Sequence, residues 1–511
     1  LQFEWEITAD SAPAPPVLAP AFSLEQRAAR LEEGYERWTG DCSGWQTDVA
    51  AFNAMLASAV EDLRALYVRA DGAHVIAAGI PWYSTIFGRD SIIASLQTLP
   101  VNPSIATDTL RFLAARQGRR DREFTEEQPG KIMHELRRGE MARSGEIPHI
   151  PYYGTVDATP LWLVLLHETW RWTGDEGLVR ELLPHAERAL SWIDRRGDLD
   201  GDGFVEYLGR SEKGLTNQAW KDSGDGVPYP DGALPRAPIA AVEVQGYVQD
   251  AKVRMAALYE AVGRRDRAER LRREAERLRA AIAERFWLEE AGTFALALDG
   301  DKRVVPTVTS NAGHLLWSRV PTATHADRLV QRLLQPDMFS GWGIRTLSAA
   351  HPVYNPMSYH NGSVWPHDNA MVALGFGFYG WRREAGQVLQ ALYEACAQMD
   401  SSRLPELFCG MPRVQGMRPV LYPVSCSPQA WASGAFFMLL QGALGIFPEA
   451  PAGVFHVRDP VLPPFIRDLT LSNLRIGRSR VSLQFRRHRD RTLVNLLEVE
   501  GAPLQVQIEL S

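Results

Sequence analysis

Apolar residues recur at three- and four-residue spacing along most of the chain between about residues 23 and 445. This spacing places them on one face of an α-helix and therefore predicts a series of amphipathic helices. Long loops rich in Gly, Trp, Tyr and Asp separate these segments. The clearest amphipathic helices are predicted over residues 23–38, 104–116, 178–195, 264–286 and 382–399.

A second set of helical segments is apolar on nearly every side. They read DSIIASLQTLP, TPLWLVLLHETW, NAMVALGFGFYGW and SPQAWASGAFFMLLQGAL. Helices of this kind are buried all round. Buried and amphipathic helices that alternate along one chain are what two concentric rings require, so the pattern predicts an (α/α) barrel. Inner helices would enclose a core, outer helices would cover them, and loops at one end would form a pocket.

Both ends of the chain change to a strand-like pattern. After Pro448, the segments LTLSNLRIGRSRVSLQFRRH and RTLVNLLEVEGAPLQVQIEL alternate, which predicts a small C-terminal β-domain over residues 448–511. The opening LQFEWEITAD also alternates and runs into the Pro-rich SAPAPPVLAP. We interpret residues 1–22 as a remnant strand and linker of a preceding β-domain, and residues 23–447 as the helical domain.

Composition narrows the class of partner. The 511 residues carry 55 Lys and Arg against 62 Asp and Glu, a formal charge of −7, which disfavours nucleic acid and anionic membranes as partners. The segment GRRDRAERLRREAERLRAAIAERF alternates in charge sign, so it is interpreted as a solvated outer helix. Four cysteines without a C-x-x-C pair argue against a disulfide framework or a zinc ribbon, and we expect a cytoplasmic protein. The sequence does not indicate an oligomeric state.

The loops carry the candidate chemistry. They combine aromatic residues and carboxylates where surface loops usually hold small polar residues, and the chain contains 15 tryptophans. Aromatic faces that stack on sugar rings, beside polar groups that bind hydroxyls, are typical of a carbohydrate site. Five loops stand out: PWYSTIFGRDS, YYGTVDATP, NQAWKDSGDG, YHNGSVWPHDN and RLPELFCGM.

Asp222 and Glu406 are the candidate catalytic pair. Hydrolysis of a glycosidic bond needs one carboxylic acid to protonate the leaving oxygen and a second carboxylate to activate water or attack the sugar. Asp222 follows Trp220, whose indole could desolvate it and raise its pKa toward that of a general acid. Glu406 lies in an apolar segment between Pro405 and Leu407. Each could instead be a helix N-cap or a salt-bridge partner.

At these loops the chain resembles the glucosidase domain of glycogen debranching enzymes, the amylo-α-1,6-glucosidase group, and more distantly other (α/α)6-barrel glycosidases such as trehalases and glucoamylases. The resemblance covers roughly residues 75–445 and rests on Gly-Arg-Asp at 88–90, Trp-Lys-Asp at 220–222 and Pro-Glu-Leu at 405–407. It implies a mainly α, (α/α)6 six-hairpin toroid and an inverting hydrolase of α-glucosidic linkages. Asp222 would be the general acid and Glu406 the general base, with Asp225 as a rival acid. This chemistry needs no cofactor.

The same resemblance implies a set of sugar-binding residues for an oligosaccharide or glucan substrate. Trp82, Tyr83, Arg89 and Asp90 would hold the non-reducing sugar, since an Arg–Asp pair can bind adjacent hydroxyls. Core packing is the alternative for each tryptophan, and a structural hydrogen-bonding role is the alternative for Arg345 and His367. The further candidates are Tyr153, Asp157, Trp220, Lys221, Glu243, Trp342, Arg345, His360, Trp365 and His367.

An acidic loop resembles the first half of a calcium-binding loop. Its carboxylates stand at alternate positions before a glycine, but Gly209 occupies the place of the EF-hand glutamate. A structural calcium site of another kind is one hypothesis, and an Asp/Gly-rich turn is the other. The candidate ligands are Asp198, Asp200, Asp202 and Glu206.

Other functions remain open at this point. A disaccharide phosphorylase uses phosphate in place of activated water and needs no base, so Glu406 argues against it. A sugar epimerase with histidines as acid and base would use His360 and His367. A non-catalytic carbohydrate-binding protein, or a related glycosidase with a substrate other than glucose, would also fit the pattern.

Overall fold

The computed structural model describes residues 23–489 and 491–510. The predicted N-terminal strand and linker, residues 1–22, lie outside the described residues. Helices dominate as far as residue 444, and strands follow. The helices are α1 (Leu24–Asp41), α2 (Ala50–Leu66), α3 (Gly88–Thr98), α4 (Ser104–Ala115), α5 (Glu140–Arg143), α6 (Ala158–Thr173), α7 (Glu176–Trp192), α8 (Val242–Ala261), α9 (Arg265–Phe286), α10 (Asn311–Trp317), α11 (Ala323–Leu333), α12 (Pro366–Phe378), α13 (Arg382–Cys396), α14 (Ala430–Ser433) and α15 (Ala435–Leu444).

Short strands connect the helices, and longer ones follow residue 445. They are β1 (Gly44–Thr47), β2 (Tyr67–Ala70), β3 (Ala73–Ile76), β4 (Ile86–Phe87), β5 (Glu135–Leu136), β6 (Ala240–Ala241), β7 (Trp287–Leu288), β8 (Thr293–Phe294), β9 (Ala297–Leu298), β10 (Val304–Val305), β11 (Ile446–Glu449), β12 (Val454–Arg458), β13 (Asp468–Ile476), β14 (Ser479–His488), β15 (Arg491–Gly501) and β16 (Gln505–Glu509).

Six helices pack in a closed cycle. In order around it, α3, α6, α8, α10, α12 and α15 each contact the next, and α15 contacts α3 again. Every residue of α3 is buried, as is nearly all of α12, which agrees with their all-round apolar sequence. The charged helix α9 packs on α8 from outside through a single apolar face, so its prediction as an outer helix is confirmed.

The observed helices differ from the sequence pattern mainly at their ends. Helix α7 ends at Trp192 and continues as one π-helical turn over Ile193–Gly197, where the pattern predicted an α-helix to residue 195. The final apolar segment is divided into α14 and α15 at Gly434. A side chain at Gly434 would collide with Gln97, so a close contact with α3 explains the glycine.

The C-terminal strands form two small sheets, and one of them uses a strand from far upstream. Its order is β1-β13-β14-β15, with β1 antiparallel to β13. Residues 44–47 therefore belong to this sheet, although the sequence pattern assigned them to the helical domain. The second sheet, β11-β12-β16, joins β16 to β12 in parallel. The sheets tie the start of the helical region to the end of the chain.

Two further features bear on the sequence expectations. None of the helices within the described residues is both long and apolar enough to cross a membrane. Cys42, Cys396, Cys409 and Cys426 are all free thiols, and all are buried.

Candidate active site

A pocket of about 150 Å³ lies where the loops before α3 and α12 meet. Its volume is below the ~300–1,000 Å³ of sites for drug-sized ligands, so it suits a single sugar ring. Both candidate catalytic carboxylates line it. The lining residues are Tyr83, Phe87, Arg89, Asp90, His134, Glu135, Arg137, Leu215, Trp220, Asp222, Tyr359, His360, Trp365, Glu406 and Trp431.

Asp222 is held by an arginine from the first turn of α3. One guanidinium nitrogen of Arg89 donates to Asp222 Oδ2 at 2.5 Å, and the other donates to Asp157 Oδ2 at 3.0 Å. The Asp222 side chain keeps 24 % of its exposure, whereas Asp157 is fully buried. Burial raises the pKa of Asp222, and the Arg89 charge opposes that rise. Asp222 is thus fixed at the pocket wall while its carboxylate stays accessible.

Glu406 has a different environment. Its Oε1 accepts a hydrogen bond from the Tyr359 hydroxyl at 2.5 Å, and its Oε2 accepts one from the Cys426 backbone N–H at 3.0 Å. The residue is 2 % exposed, and no cation forms an ion pair with it among the described residues. Burial raises the pKa of Glu406 to about 7, although Tyr359 and the Cys426 amide lower it. A carboxyl group that titrates near neutrality suits proton transfer.

Aromatic rings form one wall of the pocket. Trp365 stacks on His360 with ring centroids 5.2 Å apart, and Trp220 meets Trp365 edge to face. The indole nitrogens of Trp220 and Trp431 are buried without a hydrogen-bond partner in the described part of the chain. The wall offers apolar ring faces on which a sugar ring can stack.

Two further carboxyl groups face the same space. Burial raises the pKa of Asp90 to about 8, and the side-chain amide of Gln429 approaches Asp90 Oδ1 at 3.4 Å. Burial also raises the pKa of Glu135 to about 7, against the charge of its neighbour Arg137. The pocket therefore combines four carboxyl groups whose burial favours the protonated form, a strong indication of a functional site.

The structure brings about half of the sequence-predicted sugar-binding residues to the pocket. Tyr83, Arg89, Asp90, Trp220, His360 and Trp365 line it together with Asp222 and Glu406. The resemblance of the aromatic loops to those of debranching-type glucosidases had implied these sugar-binding residues.

Several other predicted residues lie behind the pocket wall and support it. Asp157 binds Arg89 and also accepts from Thr155 at 2.5 Å. Lys221 Nζ donates to the Thr346 carbonyl at 2.6 Å, and Arg345 donates to backbone carbonyls, including that of Gly410 at 2.7 Å. Tyr153 donates to the Arg116 carbonyl at 2.7 Å. In these positions the side chains hold loops in place.

The remaining predicted residues are not part of the pocket lining. Glu243 is fully buried beside Asn311, and His367 stacks on Trp431 at 3.8 Å. Trp342 is buried beneath the Arg413 guanidinium. Trp82 is 55 % exposed. The rival acid Asp225 is exposed, accepts a hydrogen bond from Ser223, and lies outside the lining.

Sequence reasoning missed some of the lining residues. Tyr359 lies inside a loop that the sequence had singled out, and its position beside Glu406 depends on a contact across 47 residues. His134, Glu135 and Arg137 come from a segment without aromatic clustering. Only the antiparallel pairing of β4 with β5 brings them next to Phe87 and Arg89. The others missed were Phe87, Leu215 and Trp431.

The carboxylates of the acidic loop are paired with a lysine from a distant part of the chain. The Lys302 ammonium contacts Asp200 at 2.7 Å, Asp202 at 2.8 Å and Glu206 at shorter range. Asp198 instead accepts hydrogen bonds from the Gly201 and Gly203 N–H groups. Oxygens of Asp198, Asp200 and Glu206 lie close enough together to hold a metal ion, but a calcium ion would compete with the lysine for the same oxygens. The donor set fits calcium only if Lys302 moves.

Several solved structures that are similar to this chain carry the names of carbohydrate-active proteins. A sialidase matches at a TM-score of 0.65 with 11% identity over 91% of this chain and 41% of that one. A GH78 family rhamnosidase of a Bacillus species matches at 0.64 with 12% identity over 92% and 43%. The chain thus spans about two fifths of the length of these two proteins. The GH63 mannosylglycerate hydrolase of Thermus thermophilus matches at 0.56 with 16% identity over 75% of this chain and 99% of that one.

At these identities the structural matches support the fold alone. No curated protein matches the sequence. The sequence itself gives the family, because the model of the mannosylglycerate hydrolase MGH1-like glycoside hydrolase domain matches residues 83–410, from Tyr83 of the pocket to just past Glu406. That match covers more than half of the chain, and the protein belongs to the MGH1-like glycoside hydrolase family.

Proposed function

We propose that this protein hydrolyses an α-linked glycoside with inversion of configuration, with Asp222 as the general acid and Glu406 as the general base. The observation that carries the proposal is the convergence of these two carboxyl groups on one pocket of single-sugar size, walled by aromatic rings. The closed cycle of six buried helices with outer helices packed on it supports an (α/α)6 toroid as the scaffold.

In the proposed reaction, Glu406 accepts a proton from a water molecule as that water attacks the anomeric carbon. Asp222 donates its proton to the glycosidic oxygen as the bond from that oxygen to the anomeric carbon breaks. Inverting enzymes keep the two carboxyl groups roughly 6.5–9.5 Å apart to leave room for the water. The hydrogen bonds from Tyr359 and Cys426 would orient Glu406 toward that water.

The charges in the pocket make the role of each carboxyl group testable. Asp222 has Arg89 as an ion-pair partner, which stabilises the ionised form, whereas Glu406 has hydrogen-bond donors only. A general acid must be protonated before it acts. The proposal therefore requires that substrate binding weaken the Arg89–Asp222 contact, for example when a sugar hydroxyl binds Arg89.

Two substrate classes follow from different observations. The loop motifs resemble those of debranching-type glucosidases, which favours an α-glucoside. The family match favours a mannosylglycerate, whose acidic aglycone would require a cation at the pocket. Arg137 lines the pocket with 36 % of its side chain exposed, and Glu135 partly neutralises it. Kinetics on matched α-glucosides and on mannosylglycerate decide between the two classes.

The decisive test of the two roles uses a substrate that needs no acid. The fluoride of an α-glycosyl fluoride leaves without protonation, so Asp222→Asn should retain far more activity on the fluoride than on an O-glycoside. Glu406→Ala should lose activity on both substrates and regain it with azide, which attacks without a base. Equal loss of both variants on both substrates, without azide rescue, would contradict the assignment.

The alternatives have separate signatures. A phosphorylase would depend on inorganic phosphate for turnover, and an epimerase would isomerise a free sugar without hydrolysis. Burial lowers the pKa of both His360 and His367 well below the usual range, and only His360 lines the pocket. These neutral rings are poorly suited to the acid and base roles of an epimerase. A non-catalytic binding protein would bind sugars with both carboxylates replaced.

A further inference from the structure

A second, larger cavity of about 750 Å³ lies at the other end of the helices that carry the active site. Asp157 precedes α6 at the sugar pocket, whereas Arg171 of α6 lines the second cavity. Likewise Trp365 of the sugar pocket directly precedes α12, and Phe378 of the second cavity ends it. At 1.5 Å per residue, each helix separates the two sites by roughly 15–20 Å. Strands β11, β12 and β16 close the cavity from the other side.

Most carboxylates around this cavity are already paired with arginines. Arg254 binds Asp250 at 2.6 Å and also contacts Glu168, and Arg171 binds Glu168 at 3.1 Å and Glu449 at 3.0 Å. On the strand side, Arg458 binds Glu509 at 3.2 Å. Asp459 also lines the cavity, so the pairs reduce the negative charge there without removing it.

Two further guanidinium groups line the cavity, and they differ in their partners. Arg319 is exposed, lies over the Phe378 ring at 4.1 Å from its centroid, and has no carboxylate within 4.0 Å among residues 23–489 and 491–510. Arg382 is 8 % exposed and donates to the backbone carbonyls of Gly377 at 2.7 Å and Arg458 at 2.8 Å. Burial lowers the pKa of Arg382, and the charge of Asp459 opposes that shift.

Neighbouring charges of both signs act on Arg319. Burial is the largest cause that lowers the pKa of Arg319, and the positive charges of Arg254 and Arg171 lower this pKa further. The negative charges of Asp250 and Glu168 oppose them. The backbone of Arg319 also has φ of +57°, a left-handed conformation that L side chains rarely adopt. This conformation ends α10, since the Arg319 N–H donates to the Leu316 carbonyl at 3.1 Å and the Val320 N–H donates to the Leu315 carbonyl at 3.0 Å.

Helix capping explains the position of the Arg382 guanidinium but not that of the Arg319 guanidinium. Arginines at helix C-termini are stabilised by the exposed carbonyls and the helix dipole, and Arg382 satisfies that description at the end of α12. Arg319 does not, since its guanidinium lies on Phe378 and forms no hydrogen bond to a described residue. A bidentate donor that lies over an aromatic ring at the wall of a cavity, with no carboxylate partner among the described residues, is suited to bind an oxyanion.

We propose that the cavity between the helix ends and β11, β12 and β16 is a second, non-catalytic binding site for a small oxyanion, a carboxylate or a phosphate group, with Arg319 as the main donor and Arg382 behind it. The aromatic side chains Trp170, Phe378, Tyr379 and Phe447 line the same cavity and would accommodate the organic part of such a ligand. The site is independent of the proposed hydrolysis.

Titration of the full chain with inorganic phosphate and, separately, with citrate tests the proposal. Each titration is made against chloride at constant ionic strength, and Tm and equilibrium dialysis are measured. We expect saturable binding of one of the two anions at about one site per chain, with a rise in Tm; the anion that binds identifies the phosphate or the carboxylate as the ligand group. Binding of neither anion above the chloride control would overturn the proposal.

Variants locate the site. Arg319→Gln should weaken anion binding at least tenfold, and Arg319→Lys should weaken it less because the charge remains. The matched control is Arg328→Gln, since Arg328 is an arginine of α11 that pairs with Glu289 away from the cavity and should leave binding unchanged. Equal binding by Arg319→Gln and the control would place the anion elsewhere and contradict the proposal. Unchanged hydrolysis by Arg319→Gln would verify that the variant is folded.

Discussion

The two ends of the central helices carry opposite chemistry. At their N-terminal ends lie acids, among them Asp90 in α3 and Glu243 in α8. At the C-terminal ends lie Arg171, in the last turn of α6, and Arg319, just past α10. A helix dipole alone would stabilise ionised acids at the first end and cations at the second. The arginines agree with this rule, but the buried acids do not titrate as it requires.

The relative sizes of the helix-dipole and burial contributions explain why the acids depart from the rule and the arginines do not. A helix terminus contributes about 0.3–1 kcal/mol, and up to ~2 kcal/mol in partly buried sites, whereas each unit of pKa corresponds to about 1.4 kcal/mol. The rise in the Asp90 pKa from 3.8 to about 8 is far larger than the dipole could oppose. Burial therefore outweighs the neighbouring charges of Arg89 and Arg137 at the pocket, while ion pairs dominate at the opposite cavity.

The largest effect is expected from removal of the pocket carboxyl groups that we assign to catalysis. Asp222→Asn and Glu406→Gln should each lower kcat on an O-glycoside by about 10²–10⁴, the usual contribution of a general acid or base. Asp225→Asn is the matched control, because Asp225 is exposed and outside the pocket, and should remain near the wild-type rate. Steady-state kinetics measure this; a loss with Asp225→Asn that equals the loss with Asp222→Asn would transfer the acid role to the rival.

A smaller effect, on stability, is expected at the acidic loop, where the carboxylates are paired with Lys302. Lys302→Met leaves Asp200, Asp202 and the buried Glu206 without one, and should reduce the free energy of unfolding by about 1–3 kcal/mol. Urea denaturation measures the loss. If the acids can hold calcium once the lysine is gone, millimolar Ca²⁺ should stabilise the variant more than the wild type.

The corresponding control for this loop is Lys213→Met, since Lys213 Nζ donates only to the Glu146 carbonyl at 3.0 Å and is exposed. It should change stability little. Equal stabilisation of the wild type and Lys302→Met by Ca²⁺ would remove the reason for assigning calcium to the loop.

The smallest effect is a shift in the pH profile. As the base, Glu406 must be ionised, so kcat/KM should rise as pH increases through about 7. The hydrogen bond from Tyr359 stabilises the ionised form of Glu406, so Tyr359→Phe should raise the Glu406 pKa. The rising part of the pH profile should then move to higher pH, by up to about one pH unit. Activity should then fall up to tenfold near pH 6 and change little near pH 8.

Tyr354→Phe provides the control for the pH profile, because Tyr354 donates to the Gly410 carbonyl and does not contact Glu406. The rise of kcat/KM with pH should be the same for this variant as for the wild type. A wild-type rate that instead falls as pH rises through about 7 would indicate that Glu406 must be protonated, and so that the acid and base roles are exchanged.

Sequence reasoning succeeded where the evidence is local in the chain. Helical periodicity identified α9 and α13, and aromatic loops with carboxylates pointed to Asp222 and Glu406. The resemblance of those loops to debranching-type glucosidases added Arg89 and Trp365, which line the same pocket. It could not find features that depend on distant contacts. The pairing of β1 with β13 joins segments more than 400 residues apart.

The same limit explains the errors in residue assignment. His367 stands two residues after Trp365 of the pocket but does not line it, because successive helix residues face different directions. Glu243 lies in the first turn of α8, and none of the residues of that helix lines the pocket. Lys302 could not be connected with the acidic loop, since it lies about 100 residues away on the turn between β9 and β10.

The most direct test of the central claim is ¹H NMR of the first product formed from an α-linked substrate. We predict that the β-anomer appears first and then mutarotates, because water activated by Glu406 attacks the anomeric carbon from the face opposite the leaving group. Initial release of the α-anomer would mean retention, and would contradict the assignment of Asp222 and Glu406 as an inverting pair.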